Sequence, residues 1–269
     1  MSDFILTDDN YYSEEADRRY MSVHQYLDFA GHMGIVGCEA RAMAKLNREW
    51  KDKITKSMLI GSFVDSYFEG TLDHFLKENS ECFLKTRPEE LKSEFRKAKR
   101  MIERCTKDEY FMSTMAGEKQ KIMTGYLFGC EWKIKMDSYF PGKAIVDLKT
   151  ANNIHKAWKV QDYGYASFVE YWGYILQLAV YQKIVETNTG KKLPCYISVV
   201  TKEEEPEIVV VFIDQMALDH ALNEIEMNMT SVLSVKNGEA EPIRCEKCDF
   251  CRSTKKLTGA INYQDLISE

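Results

Sequence analysis

The sequence predicts an α/β protein, a central mixed sheet flanked by helices, and three observations lead there. Hydrophobic periodicity over the first third is helical, period-two alternation takes over near residue 129, and helices and strands share the remainder. The composition is that of an ordinary globular chain: 269 residues, 45% hydrophobic, 12% aromatic and 29% charged, which excludes disorder, collagen-like repeats and a coiled-coil rod. No internal repeat, low-complexity tract or long Pro/Gly/Ser linker divides the chain. A single domain over 1–269 is the simplest organisation: a mainly helical part over 1–115, a core over 116–236 and a Cys-rich segment over 237–269.

Taken in order, Ser22 is placed to cap a short helix over 21–29, and residues 39–50 are rich in good helix formers. Residues 61–76 predict another helix. Pro88 followed by Glu89 and Glu90 is a helix-start signal, and Leu91, Phe95, Ala98, Ile102 and Cys105 recur at helical spacing behind it. Residues 129–137 alternate polar and apolar, 138–142 form a turn cluster, and 143–150 make a second strand, so the pair reads as a hairpin. A helix over 172–186, strands over 195–201 and 207–213 around an acidic turn, and a helix over 216–235 complete the reading.

Charge and hydropathy narrow the function. With 36 basic and 42 acidic residues the net charge is −6, which excludes a uniformly basic nucleic-acid coat but leaves room for a local basic groove. The longest apolar run, 208–213, is far short of the roughly 20 residues of a membrane helix. No basic stretch followed by an apolar one opens the chain, so no secretory signal is expected. The expectation is a soluble, cytoplasmic protein with no membrane partner. The eight cysteines are too sparse for a secreted disulfide scaffold, yet Cys245, Cys248 and Cys251 are clustered, which points to metal. The five histidines show no zinc-protease spacing. The aromatic-rich run over 158–174 offers stacking platforms for bases, and equally describes core or a loop packed over the sheet.

The second hairpin strand carries Asp147-Leu148-Lys149. Alternation sends Asp147 and Lys149 to one face and Val146 and Leu148 to the other. On the preceding strand Asp137 shares parity with Glu131, Lys133 and Lys135, against the apolar set Trp132, Ile134 and Met136. The hairpin can therefore bring Asp137 and Asp147 together beside Lys149. Two converging carboxylates are what Mg²⁺ takes from a protein, leaving its other positions to water and phosphate oxygens. Lys149 could then orient the attacking water or stabilise the developing oxyanion. In isolation an Asp and a Lys two apart on a strand are usually just solvated.

The company of these residues decides the matter. Asp137, a turn and Ile145-Val-Asp-Leu-Lys-Thr150 resemble the metal-binding hairpin of the PD-(D/E)XK nuclease superfamily. Gln177-Leu-Ala-Val-Tyr181 is similar to the Q-x-x-x-Y helix motif of its RecB-like branch; alone, it equally describes a polar stripe on a packed helix. Over most of the chain, from about Tyr20 to Lys256, the sequence resembles the RecE-type (exonuclease VIII-like) phage recombination nucleases. This stretch includes Lys45-Leu-Asn-Arg-Glu-Trp50, Gly117-Glu-Lys-Gln120 and Arg244 to Arg252. The relatives' Gly-x-x-x-His appears here as Gly61-Ser-Phe-Val-Asp65, a departure that puts an oxygen ligand where a histidine is expected; Glu69, one turn on, is a substitute.

The resemblance implies a metal-dependent exodeoxyribonuclease that digests duplex DNA ends 5′ to 3′ and leaves 3′ single strands for homologous recombination. It implies Mg²⁺ or Mn²⁺ held by Asp65, Asp137, Asp147 and the backbone carbonyl of Leu148, with Lys149 catalytic and Gln177 and Tyr181 contacting DNA or supporting the site. A single-strand annealing recombinase as partner, a ring-like homo-oligomer and a phage or prophage setting in a bacterial host follow in the same way. Cys245-x-x-Cys248-x-x-Cys251 lacks a nearby fourth ligand for either a [4Fe-4S] cluster or tetrahedral zinc. Cys38 is nominated by the RecB-like nucleases whose iron–sulfur cysteines lie one far upstream and three near the C-terminus. Iron–sulfur is the implied metal group and zinc the alternative. Two other readings compete: a RecB-like nuclease acting on single strands, and a catalytically silent DNA-binding or interaction module that keeps the fold.

Overall fold

Trp132, Ile134 and Met136 alternate along one strand and all three are fully buried, as period two requires of a sheet with a covered face. The structure, a computed structural model, describes residues 4–266. Its first half is helical: α1 (Glu14–Arg19), α2 (Val23–Ala30), α3 (Glu39–Leu46), α4 (Lys56–Glu69) and α5 (Leu72–Glu78) lead through a small ribbon, β1 (Phe83–Leu84) and β2 (Arg87–Leu91), to α6 (Ser93–Thr106) and α7 (Glu109–Thr114). Then come β3 (Glu118–Leu127), β4 (Cys130–Phe140), β5 (Ala144–Ala151), the short pair β6 (Trp158–Val160) and β7 (Gly164–Ala166), α8 (Phe168–Tyr171) and α9 (Tyr174–Thr189). β8 (Cys195–Thr201), β9 (Ile208–Ile213), α10 (Gln215–Lys236) and α11 (Asp249–Ser253) finish the chain.

The central sheet runs β3-β4-β5-β8-β9, antiparallel except for the parallel pair β5–β8. That parallel pair needs a long crossover, and α8 and α9 supply it. One face carries Ile134, Ile145 and Ile197 against Leu178 and Ile184 of α9, Ile225 and Met229 of α10 and Tyr26 of α2. The other carries Leu148 and Val200 against Phe63 and Phe68 of α4 and Phe95, Ala98 and Met101 of α6. Helices on both faces explain why β8 is buried along almost its whole length. Among the described residues no helix is long and apolar enough to cross a membrane.

Three expectations change. The helix over 61–76 is two helices: α4 starts earlier, capped by Thr55, and stops at Gly70, whose φ of 83° ends it in a left-handed cap. Pro88 starts no helix but sits in β2, a strand of the two-stranded ribbon, where a missing N–H is tolerated; α6 begins at Ser93. Residues 138–140 extend β4 instead of turning, so the turn lies at 141–143 around Gly142. The helix over 172–186 is present as α9, starting two residues later because Gly173 (φ 70°) separates it from the short α8. Strand β3 was not expected; its half-buried, weakly alternating residues form the sheet edge.

Candidate active site

β4 and β5 pair at Ser138–Val146, Tyr139–Ile145 and Phe140–Ala144. The next pair in that register is Asp137 opposite Asp147, and there the backbone ladder gives out. Asp137 Oδ2 takes over, accepting the Leu148 N–H at 2.7 Å, while Gln120 of β3 donates to its Oδ1 at 3.3 Å. Asp147 is buried, accepts from Gln177 Nε2 at 2.7 Å through Oδ1, and has Lys149 Nζ against Oδ2. Apart from this ion pair, Oδ2 has no partner in hydrogen-bonding geometry among the described residues. The sequence-predicted trio is thus gathered where two strands part.

Gln177 and Tyr181 lie one turn apart on α9, so they share a face. Gln177 Nε2 also donates to Tyr181 Oη at 3.0 Å, and Tyr181 Oη donates to the Lys135 carbonyl at 3.1 Å. Both side chains are more than nine-tenths buried. They brace Asp147 and β4 from beneath and also line the cavity. Asp65, on α4, reaches the same cavity from the opposite helical layer, with Glu69 one turn further along. Leu148 lines the cavity while its side chain packs into the core beside Val200.

The cavity has a volume of about 530 Å³. Its acids are electrostatically crowded. Burial and then the charge of Asp147 push Asp137 up to about 7, against Lys149 and the Leu148 N–H. Burial and then Asp137 push Asp65 well above its ordinary value. Burial alone would lower Lys149, but Asp147 and Asp137 outweigh it and hold the ammonium above its ordinary value. Carboxylates that repel one another in a recessed site, with Lys149 as the cation against Asp147 Oδ2, fit a divalent cation. The residues that can hold one are Asp137, Asp147 and Asp65. These three ring the cavity more openly than the thiols described below, which are the one tight group of ligand atoms among the described residues.

Sequence reasoning assigned no role to Gln120, whose positive φ of 51° occurs opposite Asp137 in β3, or to Lys45 and Arg48, which with Lys133 and Lys135 line the cavity, each paired with an acid. Alternation did signal Lys133 and Lys135. Gln120 lay inside a quoted motif without a role.

The description "PDDEXK-like domain of unknown function (DUF3799)" matches residues 22–254. The chain belongs to this PDDEXK-like family. A crystal structure of a candidate exonuclease from Eubacterium rectale, at 2.19 Å resolution, is 52% identical, covers 98% of each chain and superposes with a TM-score of 0.95. The structure of SSO0001 is 10% identical over 71% of this chain and 84% of that one, with a TM-score of 0.29, and carries no argument. No curated protein matches the sequence. Family and relative together support a nuclease of the PD-(D/E)XK superfamily.

In this PDDEXK-like chain the four cysteines nominated from the sequence do converge. Cys38 precedes α3, Cys248 caps α11, and the four sulfurs lie within 4.8 Å of one another. Cys38 Sγ is 3.5 Å and Cys245 Sγ 3.9 Å from Cys251 Sγ. Burial raises all four thiols, but for Cys245 the N–H groups of Lys247 and Cys248 prevail and hold it down to about 6. A thiolate already favoured at neutral pH, surrounded by three more sulfurs, suits a soft metal ion.

Proposed function

We propose that this chain is a metal-dependent exodeoxyribonuclease that digests duplex ends 5′ to 3′, leaving 3′ single strands for phage-type recombination. The observation that carries the reading is Asp147, fixed by Gln177 through one oxygen while the other faces Lys149. Asp137, Asp147 and Asp65, with the Leu148 carbonyl, hold Mg²⁺ or Mn²⁺. Such an ion supplies a bound water of lowered pKa and offsets charge on the scissile phosphate. Lys149, kept protonated by its acidic neighbours, serves as a fixed donor to the attacking water or to a phosphate oxygen. Gln177 and Tyr181 position Asp147. The polarity, an annealing-protein partner and a ring-like homo-oligomer belong to the same reading through the RecE-type resemblance.

Linear duplex labelled at one 5′ end, and separately at one 3′ end, tests polarity in Mg²⁺, Mn²⁺ and EDTA. Early release of the 5′ label as mononucleotide, absent in EDTA, is expected. Early release of the 3′ label, or cleavage of single strands alone, contradicts the reading.

At the cysteines the sulfur spacing favours a single ion over the iron–sulfur cluster. Zinc–sulfur bonds of about 2.3 Å in a tetrahedron put sulfurs about 3.8 Å apart, beside the observed 3.5 and 3.9 Å. A four-iron cube seats each thiolate on its own iron at a separate corner and spreads the sulfurs further. Protein purified without oxygen is expected to carry one zinc per chain. Four irons with acid-labile sulfide and a broad visible absorption restore the cluster.

A further inference from the structure

The carboxylates and Lys149 stand at a junction. Asp65, Leu148 and Lys149 line the first cavity and also a second, of about 410 Å³, on the far side. The two differ in charge. The first mixes Asp137, Asp147 and Glu69 with several cations, whereas the second sets Lys149, Lys156 and Lys202 against Asp65 as its one acid among the described residues. In a chain of net charge −6 such a basic recess is a local departure, and it suits a phosphate backbone.

Its wall is aromatic. Trp158 of β6 stacks on Tyr171 with ring centres 4.4 Å apart and an interplanar angle of 17°, and meets Trp172 edge-on at 5.6 Å. Lys156 Nζ lies 3.8 Å from the Trp158 ring centre. Trp172 remains 38% exposed although it lines the cavity. Trp158 Nε1 is a buried donor without an acceptor among the described residues. A core tryptophan normally finds an acceptor, so this one calls for an oxygen from a ligand.

We propose that the second cavity is a single-strand nucleotide subsite: it seats the nucleotide next to the scissile phosphate, its base against Trp172 and its backbone against Lys156 and Lys202. The volume is that of a small-ligand site, far too narrow for a duplex. The cut strand therefore passes the carboxylates as a single strand, running from one cavity to the other. The proposal rests on the nuclease reading for the place of the cut, but the aromatic and basic lining stands without it.

The test uses fluorescein-labelled oligothymidylate, with binding followed by anisotropy in EDTA and cleavage followed in Mg²⁺. Wild type is compared with Trp172→Ala, Trp172→Phe and Lys156→Ala, each checked for folding by circular dichroism. Trp172→Ala is expected to weaken binding about ten-fold, the loss of one stacked base, with Trp172→Phe restoring most of it. Lys156→Ala, which removes an exposed ammonium and its contact with the Trp158 ring, is expected to lower the salt dependence of binding by about one ion. Wild-type affinity and salt dependence in both variants overturn the subsite even if cleavage proceeds normally. If binding depends on both residues and Mg²⁺ gives no cleavage, the subsite stands and the nuclease reading falls.

Discussion

Asp147 commits one oxygen to Gln177 and leaves the other to Lys149, so its orientation depends on a neighbour one helix away. Gln177→Leu strips a buried carboxylate of its donor, which costs roughly 1–3 kcal/mol of stability. The same change is expected to slow cleavage more than it weakens DNA binding, because it disturbs Asp147 and leaves the basic walls intact. Tyr181→Phe removes both the bond to the Lys135 carbonyl and the acceptor of the second Gln177 bond, and costs about 1–2 kcal/mol. Equal effects of Gln177→Leu on rate and binding would place Gln177 in DNA contact instead. These residues were legible because strand alternation and helix spacing fix which side chains can meet. Their hydrogen bonds were not, since burial decides whether a Gln–Tyr pair grips a ligand or braces a neighbour.

Lys236, which braces Asp17 and Gln25 at the edge of the cavity, makes a prediction about pH. Its ammonium, at the end of α10, donates to the Asp17 and Tyr20 carbonyls and to Gln25 Oε1. Burial, assisted by Lys133 and opposed by Cys130 and Asp17, pulls its pKa from 10.5 down to about 8. The unfolded chain therefore binds more protons than the native one between those values. The penalty is fully present below about 8, and stability rises with pH through the window above it. Urea unfolding of wild type and Lys236→Met at about pH 7 and about pH 10 checks this: the wild type should gain relative to the variant at the higher pH. Parallel curves contradict it.

Among the elements, glycine sets the boundaries that aim the site. Gly173 adopts φ 70° and lets the chain break between α8 and α9, which sends Gln177 toward Asp147. Gly173→Ala meets no close contact, its nearest neighbours standing 3.5 Å away, so only backbone strain acts. A loss of roughly 1–2 kcal/mol, seen as a lowered Tm, is expected. The strands β4, β5, β8 and β9 were legible because their buried faces impose a strict alternation or an unbroken apolar run. β3 was hidden because an edge strand buries little and its pattern is correspondingly weak. Pro88 misled because a helix start and an edge ribbon both tolerate a residue without an N–H. Thr55, which caps α4 by accepting from Met58 N, is a signal the sequence did carry.

Across the whole molecule, two distant stretches of chain meet at the thiols. Cys38 contacts Cys251 across more than two hundred residues of sequence, so a bound ion there closes a loop around the nuclease core. Cys251→Ser, or prolonged chelation, is expected to lower stability by several kcal/mol without removing any group from the carboxylate cavity. A thermal unfolding curve unchanged by either treatment contradicts a structural role. Net charge gave no hint that the molecule divides into a carboxylate-bearing cavity and a basic one, because a sum over the sequence erases where charges sit. The parted strands at Asp137 and Asp147 are proposed above as a cation-dependent cleavage centre. The most direct measurement is the rate of linear duplex degradation in Mg²⁺ by wild type, Asp147→Asn and Lys149→Ala, each shown to be folded. Cleavage by wild type, abolished by EDTA and reduced roughly a hundred-fold or more in both variants, is the predicted result. Metal-independent cleavage, or variants as fast as wild type, would contradict it.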